Sequence, residues 1–187
     1  MRRLILVWLL GLGLAGCAGA PKGQPYDPNT EVPKGAPAFP PLTNSWVIDK
    51  TGLLSQEAIR EGDAICRRLQ GDGLAEVVVI IINGVQHPME WATHYGRWLK
   101  LGRKGLSTEG GNNGVVWLIR PDAREKITIS VGRGLPQFAT TDYGRIVDDA
   151  KDYVNFNNFD KGVLVIIRET DKRLREIYGK SQGGGRQ

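Results

Sequence analysis

Cysteine and histidine are scarce in this chain of 187 residues. The two histidines, His87 and His94, are seven residues apart and no cysteine lies near them, which argues against a zinc site. The two cysteines, Cys17 and Cys66, lie far apart, and neither is paired in sequence with a histidine. A Gly-x-Ser-x-Gly elbow is also missing. The sequence therefore gives no sign of the common zinc or nucleophilic hydrolase sites.

A stripe of basic residues is missing as well. The formal net charge is +5, but lysine and arginine are mixed with acidic residues along the whole chain. Nucleic-acid binders concentrate their positive charge on one face or along one helix. We therefore expect no nucleic-acid partner.

Apolar runs long enough to span a bilayer are absent too. The apolar run at the N-terminus, residues 4–14, has about eleven residues. It follows Arg2 and Arg3, has the length of a signal-peptide core, and is too short to span a bilayer as a helix. The residues Leu14-Ala15-Gly16-Cys17 after it resemble the lipobox of bacterial lipoproteins. The resemblance implies a signal peptide over residues 1–16 and a lipid on Cys17. The alternative is an ordinary cleavable signal with an incidental cysteine.

The N-terminus also predicts where the protein resides. A lipid on Cys17 would anchor the chain to a membrane of the bacterial envelope, with its bulk facing the periplasm. The residue after Cys17 is Ala18, whereas Asp at this place resembles a signal for retention in the inner membrane. We therefore expect the outer membrane rather than the inner one.

The segment after Cys17 is rich in proline, with seven prolines in residues 18–41. Such a composition predicts a semi-extended tether over residues 17–41 that buries little surface. Residues 42–178 are long enough for one domain with a substantial core. The glycine-rich residues 179–187 predict a disordered tail. Cys66 lies among apolar residues at helical spacing, so a buried core position is favoured over a reactive thiol.

The domain alternates strand and helix patterns in the order β-α-β-α-β-β-α-α. Residues 76–82 are almost all β-branched and predict a central strand buried on both faces. The pattern Val163-Leu-Val-Ile-Ile is open to strand or helix, and the helical spacing that continues through Ile177 favours a helix. We therefore predict an α/β fold, a three-layer α-β-α sandwich with a small mixed four-stranded sheet.

Four motifs, in order, resemble the TPM domain family over residues 45–178. They are Val47-Ile48-Asp49-Lys50-Thr51-Gly52-Leu53-Leu54-Ser55, Asn112-Asn113-Gly114 with the strand after it, Ile129-Ser130-Val131-Gly132-Arg133-Gly134-Leu135, and Asn158-Phe159-Asp160-Lys161-Gly162. The resemblance implies a membrane-tethered domain that faces the envelope or the thylakoid. It also implies roles in photosystem repair, receptor assembly or phosphatase activity, and in some members calcium binding at acidic residues of two loops.

Hairpin geometry independently brings these two loops together. Asn112, Asn113 and Gly114 precede one strand of the hairpin, and Gly132 and Gly134 follow its partner, so the two loops must be neighbours. Asp142, at the start of the next helix, and Asp49, after the first strand, could reach the same edge. Such oxygen ligands would suit calcium. The alternative for the two aspartates is a helix cap and a turn residue, and the sequence leaves both interpretations open.

The chain departs from the TPM family at this site. The first Asp of the family's Asp-Asn-Gly is Asn112, and the Glu after its Gly-x-Gly-Leu is Pro136, so two negative charges are lost. Calcium affinity falls with the number of charged ligands. Two hypotheses follow, and no catalytic residue is assigned. The first is an envelope lipoprotein whose domain binds, or helps to assemble or maintain, a membrane protein partner. The second is a weak calcium-dependent phosphatase with a degenerate acidic site.

Overall fold

The fold is a small mixed sheet with helices on both faces. The computed structural model describes residues 27, 29–42, 44–102 and 111–179. The predicted signal peptide, Cys17, most of the tether and the tail from residue 180 lie outside the described residues. The elements are β1 (Val47–Asp49), α1 (Gln56–Gly71), β2 (Glu76–Ile81), α2 (Pro88–Trp98), β3 (Gly114–Ile119), β4 (Ile127–Val131), α3 (Thr140–Asn155) and α4 (Phe159–Tyr178).

The strands lie in the order β1-β2-β3-β4. The first three are parallel, with Ile48 beside Ile80 and Ile80 beside Leu118, and β4 returns antiparallel to β3. We call the edge where β2 and β3 begin the amino edge, and the edge where β1, β2 and β3 end the carboxyl edge. Because β4 runs the other way, it ends at the amino edge. The predicted α/β fold with a mixed four-stranded sheet is confirmed.

The helices lie as two layers. Helix α2 packs on β3 and β4 from one face, while α1 and α4 pack together on the other and α3 packs against α4. The opposite faces of β3 show this division, since the Trp117 indole donates to Thr170 Oγ1 of α4 at 3.1 Å, whereas Val116 faces Gly96 of α2. No helix in the described ranges is long and apolar enough to cross a membrane.

The sequence patterns predicted the main elements correctly. Every residue of β2 is buried, as expected for a strand covered on both faces. The last apolar run is helical and belongs to α4. Ser55 caps α1 by accepting from the Ala58 amide at 3.2 Å. Cys66 is fully buried on α1, and burial raises the pKa of its thiol, so it is an inert core residue.

The N-terminal segment, which we define as residues 27 and 29–42, packs on the outer side of α2. The Phe39 ring lies 5.3 Å from Trp91 and 5.6 Å from Tyr95, between ring centroids. The Trp91 indole donates to the Pro37 carbonyl at 2.9 Å, and the Tyr95 hydroxyl donates to the Pro40 carbonyl at 2.7 Å. The aromatic residues Trp91 and Tyr95, which lie on one face of α2, are therefore core residues.

This packing corrects the predicted boundary between tether and domain. The proline-rich composition, with few large apolar residues, predicts a boundary at residue 42. One of those few apolar residues, Phe39, is buried in the core. The expectation of a tether without core contacts is therefore wrong for its C-terminal part, and the domain begins before residue 39.

Candidate functional site

A cavity of about 440 Å³ opens at the amino edge, between the end of α2 and the strands β3 and β4. The loops before β3 and after β4 meet there, as hairpin geometry predicts. The Gly134 amide donates to the Asn112 carbonyl at 3.0 Å. A β-carbon on residue 132 would collide with that same carbonyl oxygen, so this approach requires Gly132.

Of the predicted pocket residues, Asn112, Gly114 and Gly132 line the cavity. Gly134 supports it through the hydrogen bond to Asn112. Asn112 adopts a left-handed backbone with φ 62°, which asparagine tolerates better than most residues, and its side chain is exposed. The sequence therefore predicted where the cavity lies. Gly132 is needed there because any side chain would collide with the backbone of the neighbouring loop.

Asn113 was predicted as a ligand, and the structure places it elsewhere. Its side chain is fully buried and donates to the Leu74 carbonyl at 3.0 Å. It therefore ties the loop before β2 to the start of β3 and does not face the cavity. The physical reason is that the hydrogen bond to Leu74 holds the Asn113 amide in the interior, whereas Asn112, with its left-handed backbone, carries an exposed side chain.

Asp49 lies at the carboxyl edge, so the expectation that it reaches the cavity is wrong. It pairs in register with Ile81, and Ile81 with Ile119, whereas the cavity lies at the other end of β3. Its carboxylate accepts from Thr51 and Gly52 of its own turn and from the Leu54 amide at 2.7 Å. Partial burial alone would raise the pKa of Asp49, but the hydrogen bonds of this turn outweigh it and hold the pKa below its usual value.

Asp142 is also unavailable to the cavity. It is the third residue of α3, where it accepts from the Ala139 amide at 2.9 Å and completes the helix start. Its other oxygen accepts from Arg173 Nε of α4 at 2.8 Å. Because α4 packs on the face of the sheet opposite α2, this ion pair turns the carboxylate away from the cavity. Asp142 is a structural capping residue.

These placements test the calcium site that the TPM family implies. A calcium ion requires six to eight oxygen ligands at about 2.3–2.6 Å. The two aspartates do not meet, and only Asn112 of the four predicted ligands faces the cavity. Across the described ranges, no group of three or more His, Cys, Asp or Glu side chains is placed to hold a metal. The residues present do not fit the ion.

Cationic side chains line the cavity instead. Arg97 and Lys100 come from the end of α2, and Arg133 comes from the loop after β4. None of the three forms a hydrogen bond or an ion pair through its side chain with another described residue. Among the described residues of the lining, Asp27 carries the one carboxylate, and it accepts from the Asn29 amide and the Thr30 hydroxyl of its own turn. The cavity is therefore suited to an anion.

No sequence pattern pointed to these cations or to the buried Glu76. Arg97 and Lys100 are three residues apart at the end of a helical pattern, a spacing that favours one face of a helix, but this signal is common on solvated helices and Lys100 itself lies just past the end of α2. Glu76 opens the otherwise apolar strand β2 and is buried. Its carboxylate accepts from the Gly102 amide at 2.7 Å and so fixes the cavity wall. A lone charge within a buried apolar strand is the signal that could have revealed it.

The fold and the cavity define a three-layer α/β domain with a basic cavity at the amino edge of its sheet. The chain belongs to the TPM domain family, whose model matches residues 47–173. The search of curated proteins found no match. Among solved structures, the chain is similar to the N-terminal domain of the cg2496 protein from Corynebacterium glutamicum, at 15% identity and a TM-score of 0.53, covering 74% of this chain and 86% of that one. It is also similar to the N-terminal domain of a protein from P. gingivalis, at 20% identity and a TM-score of 0.54, covering 70% and 85%. Both likenesses concern the fold.

Proposed function

We propose that this chain is a lipid-anchored protein of the bacterial envelope whose TPM domain binds a membrane protein partner. The observation that carries the proposal is the separation of the carboxylates. A metal-dependent reaction needs an ion held firmly by several charged ligands. Asp49 serves a turn at the carboxyl edge and Asp142 is paired with Arg173. Three cations at the cavity would moreover repel a divalent metal.

The alternative, a weak phosphatase, is favoured by one feature of the same cavity. Arg97, Lys100 and Arg133 would attract a phosphate ester. Hydrolysis further requires a general base or a metal-activated water. Asp27 is the one carboxylate of the described lining, and its oxygens already accept two hydrogen bonds. The cavity therefore favours binding over turnover.

The carboxyl edge offers a surface for a protein partner. Leu53, Met89 and Phe156 are three of the four exposed large hydrophobic side chains in the described part of the chain, and Phe156 is 84% exposed. Leu53 follows β1, Met89 begins the helix that follows β2, and Phe156 precedes α4. The Ser55 amide donates to Asp160 at 2.8 Å and so ties the first and last of these regions together. These three exposed side chains share the carboxyl edge, and we place the partner surface there.

The first test of the proposal uses calcium. We expect millimolar calcium to leave the melting temperature of the parent unchanged, because a ligand stabilises a fold only if the folded state binds it. The double variant Asn112→Asp with Pro136→Glu restores the two charges of the family and should also fail to respond, since Asp49 and Asp142 lie out of reach. The measurement is thermal unfolding with and without calcium, followed by a phosphate-ester assay. A calcium shift in the parent together with ester hydrolysis would favour the phosphatase.

The second test concerns the partner. A photoreactive amino acid in place of Phe156, introduced in the full-length lipoprotein in cells, should give a discrete cross-linked product with a membrane protein. The same amino acid in place of Lys172, an exposed residue of α4, should give none. The measurement is gel mobility and mass spectrometry of the products from the two positions. Identical products from both positions, or none from Phe156, would contradict the proposed surface.

A further inference from the structure

The chain that follows Cys17 joins the domain at Asp27, at the rim of the basic cavity. Asp27, the first described residue, lines the cavity, and its amide donates to the Trp98 carbonyl at the end of α2 at 3.0 Å. Asp27 lies ten positions after Cys17, and ten steps of fully extended chain span at most about 35 Å. The cavity therefore lies within that distance of any lipid on Cys17.

This distance is comparable with the size of the domain. A folded domain of about 150 residues has a radius of gyration of about 15 Å. The tether joins the domain at the end that carries the cavity, whereas the carboxyl edge lies at the far end of the strands. The cavity can therefore reach the headgroups of the bilayer while the carboxyl edge faces away.

The charges of the cavity suit those headgroups. Each anionic phospholipid carries a phosphate whose oxygens only accept hydrogen bonds, and guanidinium groups donate to phosphate in pairs. Arg97 and Arg133 are exposed and Lys100 is partly buried. The Thr93 and Ser130 hydroxyls, 3.0 Å apart on the cavity wall, add polar groups deeper inside.

Lys100 occupies a backbone position that favours glycine. It has φ 53° just past the end of α2, where the Leu101 amide donates to the Gly96 carbonyl at 3.0 Å and the Lys100 amide donates to the Arg97 carbonyl at 2.8 Å. This is the Schellman arrangement, and its left-handed residue is usually glycine because a β-carbon there is strained. A lysine that occupies a strained backbone position beside a cavity indicates a role for its charge.

We propose that the basic cavity binds the phosphate of an anionic phospholipid headgroup, so that the domain docks onto the membrane in which the lipid of Cys17 is inserted. This inference rests on the proposed function for the anchor. It assigns the cavity to the membrane surface and leaves the carboxyl edge for the protein partner. Binding at the cavity and acylation of Cys17 thus act as two attachments to one bilayer, and the attraction of each cation near an anionic surface adds to the anchor.

The test uses a chain that begins at Ala18, which keeps every described residue and has no lipid. All of the described core residues lie between Phe39 and Tyr178, so this chain retains the whole core. We expect it to bind vesicles of phosphatidylcholine mixed with phosphatidylglycerol, and not vesicles of phosphatidylcholine alone. Added salt should weaken the binding because it screens exposed charges.

Three variants locate the binding. Lys100→Gly and Arg133→Ala should each weaken vesicle binding about five-fold, the contribution of one cation near an anionic surface. Lys100→Gly should melt no lower than the parent, since glycine suits its backbone, so its loss of binding cannot come from unfolding. The control Arg124→Ala removes an exposed charge from the loop between β3 and β4, at the carboxyl edge, and should bind like the parent.

Other outcomes overturn the inference. If Lys100→Gly and Arg133→Ala bind these vesicles as the parent does, the cavity is not the site. If inorganic phosphate binds the cavity but vesicles do not, at ionic strength matched with chloride, the ligand is a free phosphate and the lipid assignment is wrong. Because the tested chain lacks Cys17, these results are independent of whether the anchor exists and of cross-linking at Phe156.

Discussion

Ile80→Asp is expected to prevent the domain from folding. Ile80 lies in the middle of β2 with β1 on one side and β3 on the other, and its side chain is fully buried. An unpaired carboxylate there would cost several kcal/mol, against a total stability of about 5–15 kcal/mol for a domain. The measurement is the yield of soluble protein and its thermal unfolding.

A matched substitution separates charge from position. Leu53→Asp places the same carboxylate on a side chain that is 44% exposed, and it should change the free energy of unfolding by less than about 1 kcal/mol. Soluble Ile80→Asp with the unfolding transition of the parent would show that β2 does not lie at the centre of the sheet. Failure of both variants would mean that the loop after β1 is also buried.

Cys17→Ser is expected to abolish attachment to the membrane without unfolding the domain. Acyl chains inserted in the bilayer hold a protein stably when two or more are present, and serine does not accept the lipid. Cys17 lies ten residues before the first described residue and further still from Phe39, the first described residue of the core. The melting temperature should therefore equal that of the parent. The measurement is the distribution between membrane and soluble fractions after washing with salt.

The control for this experiment is Cys66→Ser. It changes the other cysteine, which is buried on α1, and should leave the protein in the membrane fraction. Weak electrostatic attraction through the basic cavity would be removed by the salt wash, because salt screens exposed charges. Cys17→Ser that stays in the washed pellet would therefore contradict acylation as the anchor.

Periodicity made the main elements predictable. The unbroken β-branched run of β2 allows few structures other than a buried strand, and the spacing of apolar residues through Leu174 and Ile177 selects a helix for α4. The neighbouring loops at Asn112 and Gly132 followed from hairpin geometry alone. Each of these features depends on residues close together in sequence or on one hairpin.

The composition of the cavity depends on contacts that local patterns do not contain. Whether β1 runs parallel to β3 decides which edge Asp49 occupies, and periodicity does not fix strand direction. The partner of Asp142 is Arg173, thirty-one residues away on another helix. The basic cavity combines the end of α2 with the loop after β4, and Asp27 joins it only because the N-terminal segment packs on α2.

The manner in which the N-terminal segment lies on α2 determines how the domain would respond to pulling. Moving along the chain from the membrane side, the first attachment is Asp27 to Trp98 at the end of the helix, the next is Glu31 to His94, and then comes Pro37 to Trp91. Tension on an anchored N-terminus would therefore break these hydrogen bonds one after another, starting at Asp27, before the force acted on the sheet. Release of the chain up to residue 38, which leaves the core residue Phe39 in place, would lengthen the tether by up to about 40 Å at full extension. The released chain would add to the length of the tether, so the domain could follow a partner away from the bilayer while its core stays folded.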